Sequence, residues 1–137
     1  MKKKGYYEYD PVIYPRKLWV HIGDNLKQVL SSEFDGNDAE CGEYLGVTYP
    51  RVQRKSDRQY GVLVSFGCKS DMRMNTVSHE ASHACDSIEK DIGMEHGGEA
   101  SAYLLGWIAS CINKARLGKG NFIEAADKEK HYECKDK

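Results

Sequence analysis

Met74-Asn75-Thr76-Val77-Ser78-His79-Glu80-Ala81-Ser82-His83-Ala84-Cys85-Asp86-Ser87-Ile88 is the stretch from which the rest of the chain can be placed. Met74, Val77, Ala81, Ala84, Cys85 and Ile88 recur at helical spacing and make one apolar stripe. Ser70 or Asp71 can cap this helix, which the pattern carries to about Asp91. His79 and His83 fall on the side away from the stripe. One face can therefore pack on a sheet while the other offers polar groups.

His79-Glu80-Ala81-Ser82-His83 is an H-E-x-x-H motif. Residues four apart lie one above the other on a helix, so both imidazoles can reach one metal ion. Glu80, rotated by about 100° around the axis, cannot share their coordination position. It can reach a water at the metal, which is the place of a general base. A catalytic zinc needs a third protein ligand and an open fourth position. Glu99, in the first turn of the next helix, is the candidate, and a carboxylate there also suits the helix dipole. His96 is the rival ligand, or a proton donor to a substrate, and Glu95 a weaker rival. Asp86, one turn after His83, is placed to orient an imidazole.

Outward from this helix, Ile92–Gly98 holds three glycines and makes a tight connection. A second helix runs from about Gly98 to Leu117 and stops at Gly118, a good residue for a helix end. Ala100, Ala102, Tyr103, Leu105, Trp107 and Ile108 spread around it, so the pattern predicts a largely buried helix. Upstream, Tyr44–Arg54 and Gln59–Phe66 are β-like, and the polar Lys55-Ser56-Asp57-Arg58 between them suggests an antiparallel hairpin. Pro50 makes the first of these an edge strand or a broken one. The second is more continuously apolar and reads as internal. Lys17–Ile22 alternates as a strand, and Asp24 is placed to cap a short helix over Asn25–Glu33. Phe34–Gly42 reads as loop, residues 1–16 as an irregular arm, and residues 127–137 as a frayed tail.

At 137 residues the chain has room for one core, so 1–137 is read as a single domain. Twenty Lys and Arg against 21 Asp and Glu disfavour a nucleic-acid binder that works through a broad basic surface. Lys2–Lys4 and the Arg51–Arg58 segment supply only local positive charge. No apolar run is long enough for a membrane span. The basic start is not followed by an apolar stretch, so no secretion signal is expected. Five scattered cysteines, an odd number without a CxxC pair, fit a reducing, cytoplasmic setting, with Cys85 and Cys111 as small core residues.

Thr76–Cys85 resembles the extended active-site helix of the zincin metallopeptidases. Glu99-Ala100-Ser101-Ala102-Tyr103 is similar to the second-helix start of gluzincin-type domains, including small bacterial and phage proteins of the ImmA/IrrE group. The similarity runs from about Asp71 to the end of the second helix. Tyr103 stands where the thermolysin-like pattern has an aspartate, and Asp86 and Glu89 stand where metzincins need glycine and histidine. The resemblance implies an α+β domain in which a small antiparallel or mixed sheet packs on the H-E-x-x-H helix and a second, buried helix. It implies a zinc-dependent peptidase acting on a peptide or protein, with His79, His83 and Glu99 on Zn2+ and Glu80 as the base. Tyr103, His96, Tyr60 and Tyr49 are candidates for a second oxyanion donor. The alternative is a non-catalytic zinc-containing interaction or regulatory module, for example a phage-encoded interaction protein, though an intact Glu80 does not suit a closed structural site.

Overall fold

A computed structural model describes residues 4–35 and 45–126. Its centre is a parallel pair, β2 (Lys17–Ile22) and β5 (Tyr60–Phe66), in register from Lys17 opposite Gly61 to Ile22 opposite Phe66. Every residue from Gly61 to Phe66 is buried, as the continuous apolar run requires of a strand covered on both faces. β4 (Gly46–Arg54) pairs antiparallel with β5, which is the expected hairpin. Its register slips between Tyr49 and Val52, where Pro50 cannot donate to the ladder and Arg51 adopts a positive φ of 54°.

Three expectations change. Gly5–Tyr9, read as part of an irregular arm, is a strand, β1, paired with β2 on one side and with β6 (Asn121–Glu124) on the other. The β6 partnership is non-local, and the link to β2 runs through Pro11 and Pro15 rather than a tight turn, so the local pattern does not announce a strand. Phe34–Asp35, read as loop, is a two-residue strand, β3, on the end of β4. The sheet is therefore six-stranded and mixed, in the order β3-β4-β5-β2-β1-β6. The helix α1 (Leu26–Glu33) has Asn25 rather than Asp24 at its N-cap.

One face of the sheet, with Leu18, Val20, Val62, Val64 and Phe66, packs on α2 (Met74–Ile92) and α3 (Glu99–Arg116). The other, with Trp19, Leu63 and Val52, is covered by Val29 and Leu30 of α1 and by Phe34. Successive side chains of a strand point to opposite faces, so Trp19 and Val20 serve different cores. The fold is a mixed α+β domain in which α2 lies against β4 and β5.

The helix pair also differs in detail from expectation. Met74 is 86% exposed, and Met72 takes the buried place ahead of the helix. Ser70 and Asp71 belong to a short 3-10 turn, Lys69–Asp71, and Arg73 occupies the N-cap of α2. Gly93 closes α2 with a φ of 74°, a left-handed conformation that glycine adopts without strain. α3 is buried on one side only: Leu104, Ile108, Cys111 and Ile112 face the core, while Tyr103 is 76% exposed. Its apolar circumference exceeds what the sheet and α2 can cover. The tail 127–137, the end of the loop reading, Cys41 and Cys134 lie outside the described residues.

Candidate functional site

The apolar stripe of α2 turns Ala81, Ala84, Cys85 and Ile88 into the core and sends His79 and His83 to the exposed face. Their Nε2 atoms stand 3.2 Å apart, with ring centroids 4.7 Å apart and planes at 80°. Two nitrogens each 2.0–2.1 Å from a tetrahedral zinc are separated by about 3.3 Å, so the pair has the spacing that one ion demands.

Glu80 points sideways, toward β4, and is 5% exposed. The Thr48 hydroxyl donates to its Oε1 at 2.7 Å and lies 3.3 Å from its carbonyl oxygen. Gly46 lets the strand come this close: a Cβ there would stand 3.0 Å from Glu80 Cγ and 3.0 Å from Phe66 Cε1. Helix and strand together wall an open cavity of about 610 Å³. His79, Glu80, His83 and Asp86 line it from α2, and Gly46, Thr48 and Arg51 from β4. The β4 edge forms one wall because β3 pairs only with Gln53 and Arg54 among the described residues.

At the far end of the cavity, Asp91 receives Arg16 at 3.1 Å and Arg51 at 3.8 Å. This ties the last turn of α2 to the start of β2 and to the irregularity in β4. Nothing in the sequence marks Thr48 or Asp91 as a site residue, and it offers Arg51 only as local positive charge. Only the Pro50 break hinted that β4 would present side chains to the helix.

Asp86 lines the cavity but bonds Lys90 at 3.0 Å rather than an imidazole. Tyr103 lies on the solvent face of α3, and neither it nor Tyr49, Tyr60 or His96 lines the cavity. Cys68 is an exposed thiol in the loop before α2.

Glu99 occupies the first turn of α3, exposed, as the spacing placed it. It does not complete a trio with His79 and His83. Among the described residues, the only three ligand-bearing side chains with donor atoms mutually within 4.8 Å are Asp86, Glu89 and His96. These three could hold a metal ion. Glu89 is 2% exposed. Its carboxylate accepts from the Ser101 hydroxyl, from the Cys85 thiol at 3.5 Å and from His96 Nδ1 at 2.9 Å. Burial works to raise its pKa, but the bonds from Ser101, His96 and Cys85 outweigh it and hold the carboxyl below its ordinary value. The same contact raises the pKa of His96. Burial, with the nearby Glu89 carboxylate, pushes the Cys85 thiol up to about 12, so it stays protonated.

Comparison with protein-family models, with curated proteins and with solved structures finds no match. No helix among the described residues is long and apolar enough to cross a membrane.

Proposed function

We propose that this chain is a zinc-dependent metallopeptidase of the zincin type. The observation that supports it most is the His79–His83 pair, 3.2 Å apart between Nε2 atoms, on the wall of a cavity that Glu80 and the Gly46–Thr48 stretch of β4 also line. In this reading His79 and His83 would hold Zn2+, and Glu99, which stands outside their reach in this structure, would have to swing in from the first turn of α3 as the third ligand. His96 is already engaged by Glu89. A bound zinc would polarise a peptide carbonyl and lower the pKa of an attacking water.

The chain's own residues do the rest. Glu80 takes the proton of the attacking water on a carboxylate oxygen and delivers it to the leaving amine as the C–N bond breaks. Thr48 holds Oε1, which fixes the direction of the carboxylate. The backbone of Gly46–Thr48 can pair with an extended peptide laid along the cavity, a form of strand addition. The substrate is thus a peptide or protein segment in extended conformation.

The second reading, a non-catalytic metal-holding module, is favoured by the Asp86, Glu89 and His96 trio. Elemental analysis of protein purified without an affinity metal separates the two. The peptidase reading expects about one zinc per chain, lost in His79→Ala, depleted in Glu99→Ala and retained in His96→Ala. It also expects Glu80→Gln to keep zinc and lose hydrolysis of an unstructured protein such as casein. Zinc lost in His96→Ala and kept in His79→Ala would move the ion to the trio and overturn the peptidase reading.

A further inference from the structure

α3 carries a second feature, unrelated to the cavity. From Ala100 to Asn113 it holds no charged residue, in a chain whose residues are 30% charged. The buried side accounts for five of those fourteen residues, Ser101, Leu104, Ile108, Cys111 and Ile112. The solvent side is equally uncharged: Ala102, Gly106 and Ser110 are exposed along its middle, and Tyr103 and Leu105 flank them at 76% and 38% exposure. A solvated helix face ordinarily carries charge, and a large exposed aromatic beside small residues is what a contact surface presents.

The ends of this face are charged with opposite sign. Glu95 and Glu99 stand at its start, and Lys114, Arg116 and Lys119 at its end. Among the described residues Glu95, Glu99 and Lys114 form no ion pair. The midpoint between Glu99 and Lys114 falls at Gly106, where an added Cβ would meet nothing within 4 Å. A two-fold axis through Gly106 sets two copies of α3 antiparallel. Each acidic end then lies beside the basic end of the other, and the helix dipoles oppose. The small residues at the centre allow the axes the close approach of packed helices.

We propose that this chain forms a symmetric homodimer through the solvent face of α3, with a second copy of itself as the partner. The face is self-complementary in charge and apolar at its centre, which is the requirement of an isologous contact. An 18-residue helix is about 27 Å long, so the interface is small and the association depends on concentration. His79, Glu80 and His83 take no part, and Glu99, the third zinc ligand of the peptidase reading, is the one residue the two share. The dimer is read by sedimentation of metal-free protein, so its failure is distinguishable from failure of the peptidase reading.

Sedimentation velocity over a series from low-micromolar to sub-millimolar protein tests it. Dimer should accumulate with concentration in the wild type. Gly106→Glu should remain monomeric, with helix content and melting temperature shown to be unchanged. Should that variant fail to fold, Tyr103→Lys, at a side chain already in solvent, serves the same purpose. Lys114→Glu should weaken dimerisation by roughly fivefold, since two equivalent pairs are lost. Adding Glu99→Lys to Lys114→Glu, which remakes the pair with the signs exchanged, should restore it. A wild type that stays monomeric throughout, a dimer that survives both central substitutions, or a double variant no tighter than Lys114→Glu would each overturn the proposal.

Discussion

The Thr48 hydroxyl on β4 donates to Glu80 Oε1 on α2 across 2.7 Å, joining two residues 32 positions apart. It binds the H-E-x-x-H helix to the edge of the sheet at the one acid of the motif. A hydrogen bond to a mostly buried carboxylate is worth more than one between neutral groups. Thr48→Val should therefore lower stability by about 1–2 kcal/mol, read from urea unfolding. In a double-mutant cycle with Glu80→Gln the two residues should be coupled; strictly additive effects would show that the contact contributes nothing.

Gly46 is the reason that contact can form. An alanine Cβ there would press on Glu80 Cγ and on Phe66, and Phe66 is 1% exposed with nowhere to go. Gly46→Ala should displace Glu80 and cost about 1 kcal/mol. In a peptidase it should reduce kcat while zinc content stays constant. Full activity in that variant would mean that the position of Glu80 is less constrained than the packing indicates.

Arg54 holds the opposite face together. It is 8% exposed, bonds Asp57 through Nε at 3.1 Å and Nη2 at 2.6 Å, pairs with Glu8, and lies 5.3 Å from the centre of the Trp19 ring. Asp57 is partly exposed, which reduces what the pair is worth. Arg54→Ala should destabilise by about 2 kcal/mol, chiefly by leaving Glu8 with only the Trp19 indole as a partner and uncovering the Trp19 ring. A change under about 0.5 kcal/mol in the urea midpoint analysis would place this network among the marginal surface pairs.

His21 makes stability depend on pH. It is fully buried, with Nδ1 2.8 Å from Ser65 Oγ and Nε2 2.8 Å from Asn25 Oδ1. Burial lowers its pKa, against the opposing pull of Asn25 and Asp24. The unfolded chain therefore binds the proton more readily than the folded one. The stability from His21 is complete above about pH 6.5 and is lost as pH falls toward the folded value. His96, raised by Glu89, works in the other direction: its contribution is present at low pH and is lost as pH rises through its folded value. Measured in a His96→Asn background, stability should fall from about pH 7 to about pH 5.5, and His21→Gln should flatten that fall. Equal slopes with and without His21 would assign the acid sensitivity to other groups.

Much of this architecture is written in short-range pattern. The strand Lys17–Ile22 and the internal run Gly61–Phe66 are legible from alternation and continuous apolarity. The helix pair is legible from spacing and from Gly93 and Gly118 at its ends. The His79, Glu80, His83 cluster is legible because four residues make about one helical turn. The strand Gly5–Tyr9 was not, because β6 lies more than a hundred residues away and the link to β2 is a two-proline segment, 10–16, that carries no tight-turn signal. Nor was the parallel pairing of β2 with β5, since a local pattern carries no strand direction.

The sequence by itself determined which side of α2 is apolar, and with it that both imidazoles face outward on one helix turn. That follows from helix geometry, which is the same in any surroundings. Only the tertiary structure decided what stands opposite them. The β4 edge brings Thr48 to Glu80, the α2–α3 packing commits Glu89 to Ser101 and His96, and the absence of any further layer among the described residues leaves Tyr103 and Gly106 in solvent. Those outcomes depend on contacts between residues far apart in the chain, whose placement is settled by burial of the whole core rather than by any local preference.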